Sequence, residues 1–146
     1  VKYPNLEYFC QGVAHPSVQL NPVELPTRRI TSVPLAGDKI THGEITFTII
    51  LDENMTGYNE MFNWLQRLVN DGQVNPIQRN TKFPTYADIT LAILSSHNNT
   101  TQKIRYKDCL PTGLGAINFV TTTGSVTYLT FDATFRFSQF EIIAQT

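Results

Sequence analysis

TYLTFDATFRF, residues 127–137, is the most regular stretch of the chain, and its reading decides the fold class. Leu129, Phe131, Ala133, Phe135 and Phe137 fall on one side of an extended strand; Tyr128, Thr130, Asp132, Thr134 and Arg136 fall on the other. Alternation sustained over this length marks a half-buried antiparallel strand. Each large inward side chain stabilises by roughly 1.5–3 kcal/mol when buried. A slip of one residue would turn every inward side chain to water, so this strand sets the register of its neighbours.

The pattern recurs upstream in GEITFTIIL (43–51), with Ile45, Phe47, Ile49 and Leu51 opposite Glu44, Thr46, Thr48 and Ile50. YADITLAIL (86–94) puts Ile89, Leu91 and Ile93 on one face, SSHNNT (95–100) is a hairpin tip, and 101–107 returns with Ile104 and Tyr106 inward. CLPTGLG (109–115) reads as a turn, 114–119 as a short strand, and 121–125 as another tip. LEYFCQGV (6–13) reads as a strand with Leu6, Tyr8 and Cys10 on one face.

One helix interrupts these strands. Asp52, Glu53 and Asn54 supply acceptors and negative charge at its start. Tyr58, Met61, Phe62, Leu65, Leu68 and Val69 follow at helical spacing, and Asn70-Asp71-Gly72 is a stop. Trp64 flanks this stripe, either as part of the core or as an anchor for a partner chain. Between the first two strands, Pro16, Pro22, Pro26 and Pro34 mark a region unfit for a central sheet position. Residues 21–42 therefore form an extended loop or a long loose hairpin, with room for a short edge strand at 28–33 and a turn at 36–39. Loops this long inside a domain are usually functional or disordered. The fold class is mainly β: an antiparallel sandwich or barrel with one packed α-helix.

A chain of 146 residues is expected to form a single domain, 1–146. The charges nearly cancel, with 11 Lys+Arg against 12 Asp+Glu, so there is no bulk basic field for duplex DNA. Lys103, Arg105 and Lys107 share one strand face; it touches nucleic acid, is solvated, or pairs with acids on a neighbouring subunit. No apolar run approaches the roughly 18 residues of a membrane span, so no membrane partner is expected. Nothing resembles a secretory leader. Cys10 and Cys109 have no zinc spacing and are either two small buried hydrophobes or a bridged pair.

Catalytic chemistry is not legible. His15, His42 and His97 lie in loops without metal spacing and read as solvated. Gly113-Leu114-Gly115 lacks the third glycine of a dinucleotide fingerprint, because Asn118 stands there. No nucleophile elbow or phosphate-binding loop is present. No catalytic residue, metal site or cofactor is assigned.

Three stretches, in order, resemble the tail tube proteins of contractile-tailed bacteriophages: PLAGDKITHGEITFTII (34–50), NEMFNWLQRL (59–68), and 87–137 with its D-I-x-L-x-L strand, Cys109-Leu110-Pro111 and T-x-L-T-F-D-A-T-F-R-F. The resemblance covers most of the chain from Leu6. The pattern is also similar to baseplate tube-initiator proteins and, more distantly, to type VI secretion tube proteins. The resemblance implies a tail-tube-like protomer that assembles into stacked hexameric rings. One sheet per subunit would then join a continuous barrel around a channel for DNA. It implies sheath and baseplate partners and a place in the virion tail, assembled in the host cytoplasm. The long loop becomes an arm to the next ring or the neighbouring subunit, with Arg28, Arg29, Asp38 and Lys39 available for pairing. Thr46, Thr48, Thr130 and Asp132 become candidates for the channel face, which should be near-neutral or acidic so that it does not grip its cargo. Tube proteins carry a further strand, often with a short helix, before the segment matching 6–13, so that part is either missing here or completed differently. A baseplate tube-initiator or tube-terminating ring is the alternative within this class. A ligand-binding β-sandwich module using Trp64 is the alternative outside it.

Overall fold

A computed structural model describes residues 3–26, 30–73, 85–120 and 127–144, with side chains described to 69 and 143 at the ends of their elements. The chain begins with helix α1 (Pro4–Tyr8) and strand β1 (Cys10–Ala14). The strand expected at 6–13 is thus corrected to a helix and a shorter strand. Pro4 sits in the first helical turn, and Tyr3, Leu6 and Phe9 recur every third residue against the core. Tyr8, inward in the alternating reading, is 81% exposed.

Strands β2 (Val18–Leu20), β3 (Val23–Leu25), β4 (Val33–Leu35) and β5 (Ile40–His42) form an arm of two successive ribbons, β2 with β5 and β3 with β4. Neither ribbon joins the main sheet. Residues 36–39 are the joint between the ribbons and not the end of a hairpin. There the backbone crosses itself closely: a Cβ on Gly37 would lie 1.7 Å from the Asn21 carbonyl oxygen.

Strand β6 (Ile45–Ile50) and helix α2 (Thr56–Gln73) follow. The Asp52 carboxylate accepts from the Thr56 hydroxyl at 2.5 Å and the Gly57 N–H at 3.4 Å, which holds the helix start. Gly57, Met61 and Trp64 are buried, whereas Phe62 and Val69 are 44% and 61% exposed, so the buried face is rotated from the expected stripe. The helix also runs past the expected stop at 70–72, to Gln73.

Strands β7 (Ala87–Leu94), β8 (Thr100–Leu114), β9 (Thr130–Arg136) and β10 (Gln139–Ala144) complete the chain. The turn expected at 109–115 is absent, because β8 runs straight through it. Pro111 is tolerated because the register slips between Pro111 and Gly113, a place where the ladder does not require its missing N–H. The short strand expected at 114–119 has no ladder partner beyond Leu114 among the described residues.

The six-stranded antiparallel sheet has the order β1-β6-β9-β8-β10, with β7 on the other edge of β8. It curls because β8 bends. Four residues of β8, Tyr106 to Cys109, lie opposite three of β7, Ile89 to Ala87, and Asp108 takes a left-handed φ of 53°. The partner edge breaks at the same level: Phe137 and Ser138 separate β9 from β10, and the Ser138 N–H donates to the Lys107 carbonyl at 3.1 Å and its hydroxyl to Asp108 Oδ2 at 3.0 Å. One half of β8 thereby joins β1, β6 and β9, and the other half joins β7 and β10. Helix α2 crosses the concave side, setting Tyr58 against Phe131 and Trp64 against Phe135. Ile45, Ile49, Met61, Tyr106, Phe131 and Phe135 form the centre of the core.

Asp88 on β7 accepts from Arg105 at 2.6 Å and from the Asp108 N–H at 3.2 Å, across the bend. The Arg105 hydrogen bonds, and then the Asp108 N–H, hold its carboxyl below the usual carboxylate range. A folded-state value below the unfolded one means that this carboxylate stabilises the fold above the unfolded pKa. The contribution disappears as pH falls through the folded value. Stability of Asp88→Asn should therefore fall less steeply than that of the parent between about pH 5 and pH 2, measured by denaturant unfolding at each pH.

Candidate assembly surfaces

All four residues expected on a channel face lie on the side of β6 and β9 away from the core. Thr46 is opposite Thr134, Thr48 opposite Asp132, and Ile50 opposite Thr130. The Thr48 hydroxyl donates to Asp132 Oδ1 at 2.9 Å. The surface widens on both sides: Gly12 and Ala14 of β1 pair with Thr48 and Thr46, and Gly113 of β8 pairs with Thr134. The result is a four-stranded surface mainly of small and hydroxyl-bearing residues, with Ile50 and Leu110 as larger apolar members and Asp132 and Arg136 as the charged members from β9. Thr134 was available from the same alternation as Thr130 and Asp132. Gly12, Ala14 and Gly113 follow only from the pairing register.

This four-stranded portion ends in two edges without ladder partners among the described residues: β1, and residues 110–114 of β8 on the side away from β9. Gly115 continues from that edge, and its N–H donates to the Asp132 carbonyl at 2.6 Å. Unpaired edges are templates for another chain unless they are covered.

The arm presents a different surface. Val18, Leu20, Val23, Leu25, Val33, Leu35 and Ile40 are all exposed, although each belongs to a paired ribbon. Asp38 and Lys39 lie at the joint between the ribbons, whereas Arg28 and Arg29 fall outside the described residues.

Trp64 is 3% exposed, with Tyr3 stacked on it at 4.6 Å. Its indole N–H has no hydrogen-bond partner among the described residues. It lines an open trough of about 800 Å³ whose apolar walls include Leu6, Phe47, Ile49 and Leu91. On the cation face of β8, Arg105 and Lys107 are held in cross-strand ion pairs with Asp88 and Glu141. His15 and His97 are exposed, in line with the solvated reading, although the His15 ring also meets Tyr106 and Phe140; the reading is corrected for His42, which is half-buried against Phe137 and Phe140. No group of three or more His, Cys, Asp or Glu among the described residues is placed to hold a metal ion, and no described helix is long and apolar enough to cross a membrane.

Both cysteines are free. Cys109 is buried, as expected of a small hydrophobe, and burial pushes its thiol up to about 11. Cys10 is exposed, contrary to that expectation. A thiol reagent should modify Cys10 alone in the folded protein and both cysteines after unfolding, read by mass.

Comparison with known proteins places this geometry. The family described as phage tail tube protein matches residues 2–143. A search of curated proteins finds no match. Among solved structures, the fold is similar to a chain of the six-fold symmetrised anti-feeding prophage baseplate, with a TM-score of 0.67 and 12% identity over 92% of this chain and 80% of that one. A chain of the anti-feeding prophage tube-terminating cap gives 0.65 and 12%, over 93% and 80%. A chain of the sheath–tube complex of an extracellular contractile injection system, PVC, in its extended state gives 0.64 and 14%, over 93% and 81%. At these identities the likeness is one of fold. The family match extends over nearly the whole length, and the curled sheet with its crossing helix agrees with it: the chain belongs to the phage tail tube protein family.

Proposed function

We propose that the chain acts as one domain and as a non-enzymatic structural subunit, closing into hexameric rings that stack into a tail tube through which DNA passes during injection. The observation that carries this reading is the four-stranded portion of the sheet, with an outer face mainly of small and polar residues and an unpaired edge on each side. Pairing β1 of one copy with 110–114 of the next is a head-to-tail contact that closes by rotation and removes both edges. Thr46, Thr48, Thr130 and Asp132 then line the channel with few charges, which suits passage without retention. The arm reaches the adjacent ring, where its exposed apolar residues are covered and Asp38, Lys39, Arg28 and Arg29 are available for ion pairs. Sheath and baseplate proteins are the expected partners, and the protein resides in the virion tail after assembly in the host cytoplasm.

Negative-stain microscopy of the purified chain at high concentration tests this. Rings and stacked tubes are expected; a strictly monomeric particle would sink the reading. The likeness to baseplate and cap chains favours a second form of the same proposal, a ring at one end of the tube. That form would yield single rings that do not grow.

A further inference from the structure

The two legs of the arm enter and leave the body side by side. The Gly43 N–H donates to the Ser17 carbonyl at 2.8 Å, and a Cβ on Gly43 would come within 3.0 Å of the Ser17 hydroxyl oxygen. Directly flanking this crossing, each leg carries a histidine: His15 on the outgoing leg and His42 on the returning one. Both rings meet Phe140 of β10. His15 lies 5.1 Å from it at 87°, and His42 lies 5.6 Å from it at 72°. Two further rings complete the socket. Phe137 is 5.3 Å from His42, and the Tyr106 hydroxyl is 2.7 Å from His15 Nδ1. His42 is also the first rung of the arm, paired with Val18.

We infer that Phe140 is the keystone of an aromatic hinge that aims the arm, with His15 and His42 as the two jaws that grip it. A ribbon held at both legs by ring contacts leaves the body in one direction, whereas a ribbon tied only by its two peptide connections samples many. Docking onto another copy then proceeds without first losing that freedom, which is the general gain from preorganisation. The geometric part of the inference concerns the protomer alone; its meaning for ring stacking rests on the assembly reading above.

The test is a distance measurement between spin labels on the folded chain, with Gln19→Cys on the arm and Ser96→Cys on the β7–β8 tip in a Cys10→Ser background. The parent should give one narrow distance distribution. Phe140→Ala should broaden it, and Phe140→Tyr, which keeps the ring, should restore it. If Phe140→Ala fails to fold by circular dichroism, the double change His15→Ala/His42→Ala, which removes the jaws and leaves β10 intact, decides by the same criterion. A broad parent distribution, or a narrow one in the deciding variant, overturns the hinge. Tube growth by Phe140→Ala should need about tenfold more protein than the parent. A parent that shows the narrow distribution but never forms rings or tubes would defeat the assembly reading and leave the hinge standing.

Discussion

Trp64→Ala should destabilise the protein by about 3–5 kcal/mol, while Trp64→Phe should cost less than about 1.5 kcal/mol. The difference comes from what the indole does. Its ring is 3% exposed, lies flat against Tyr3 at 4.6 Å and leans on Phe135 at 5.7 Å. Truncation to alanine removes that packing and opens a void beside the trough, which the curled sheet has little freedom to close. Phenylalanine keeps most of the stacking. It also removes a buried N–H with no partner among the described residues, and an unpaired buried donor carries a penalty of about 1–3 kcal/mol that its deletion returns. Denaturant unfolding followed by far-UV circular dichroism measures both, since the substitutions abolish the only tryptophan fluorescence. A loss below about 1 kcal/mol for Trp64→Ala, together with failed assembly, would recast the residue as an anchor for a partner chain.

The parts of the fold legible in the sequence were those where one face is buried and the other is not. In β9 the alternation of Phe131, Ala133 and Phe135 with Asp132 and Thr134 admits a single register, and β6 repeats the pattern with Ile45 and Ile49. The candidate channel face followed from the same alternation, which is why Thr46, Thr48, Thr130 and Asp132 share one side of the sheet. Strand β10 is not legible in the sequence because only Ser138 separates it from Phe137, with no glycine or proline at the bend. Its cause is tertiary: hydrogen bonds from Ser138 to Lys107 and Asp108. Pro111 and Gly113 misled in the opposite direction, since local turn preference is overruled where a bulge removes the need for one N–H. The phase of α2 is ambiguous in the sequence because Phe62 and Trp64 are both large and apolar, and the positions of Tyr3 and Phe135 select the tryptophan. The arm's ribbons are visible only in their pairing, because none of their apolar residues is buried in the described chain.

That last feature leads to the other large effect. Replacing residues 18–41 with a short glycine linker between Ser17 and His42, which keeps the His42 ring on Phe137 and Phe140, should abolish tube growth while leaving the fold of the body intact. The crossing of Ser17 and Gly43 already brings the two ends together, with a hydrogen bond of 2.8 Å between their backbones, so closing a short loop there demands little rearrangement. The arm strands pair only with each other, so their removal takes no rung from the six-stranded sheet. What the deletion does remove is a set of exposed Val, Leu and Ile side chains whose burial against another copy is worth roughly 25 cal/mol per Å² of apolar surface, before the costs of association. Ring closure uses β1 and the 110–114 edge of β8, neither of which belongs to the arm. The expected product by negative stain is therefore isolated rings, with an unchanged unfolding midpoint for the protomer. Tubes of normal length from the armless chain would show that stacking depends on the ring faces alone and that the arm's apolar residues serve another contact. Loss of rings as well as tubes, with the protomer still folded, would move the arm from the inter-ring contact to the contact between neighbours within a ring.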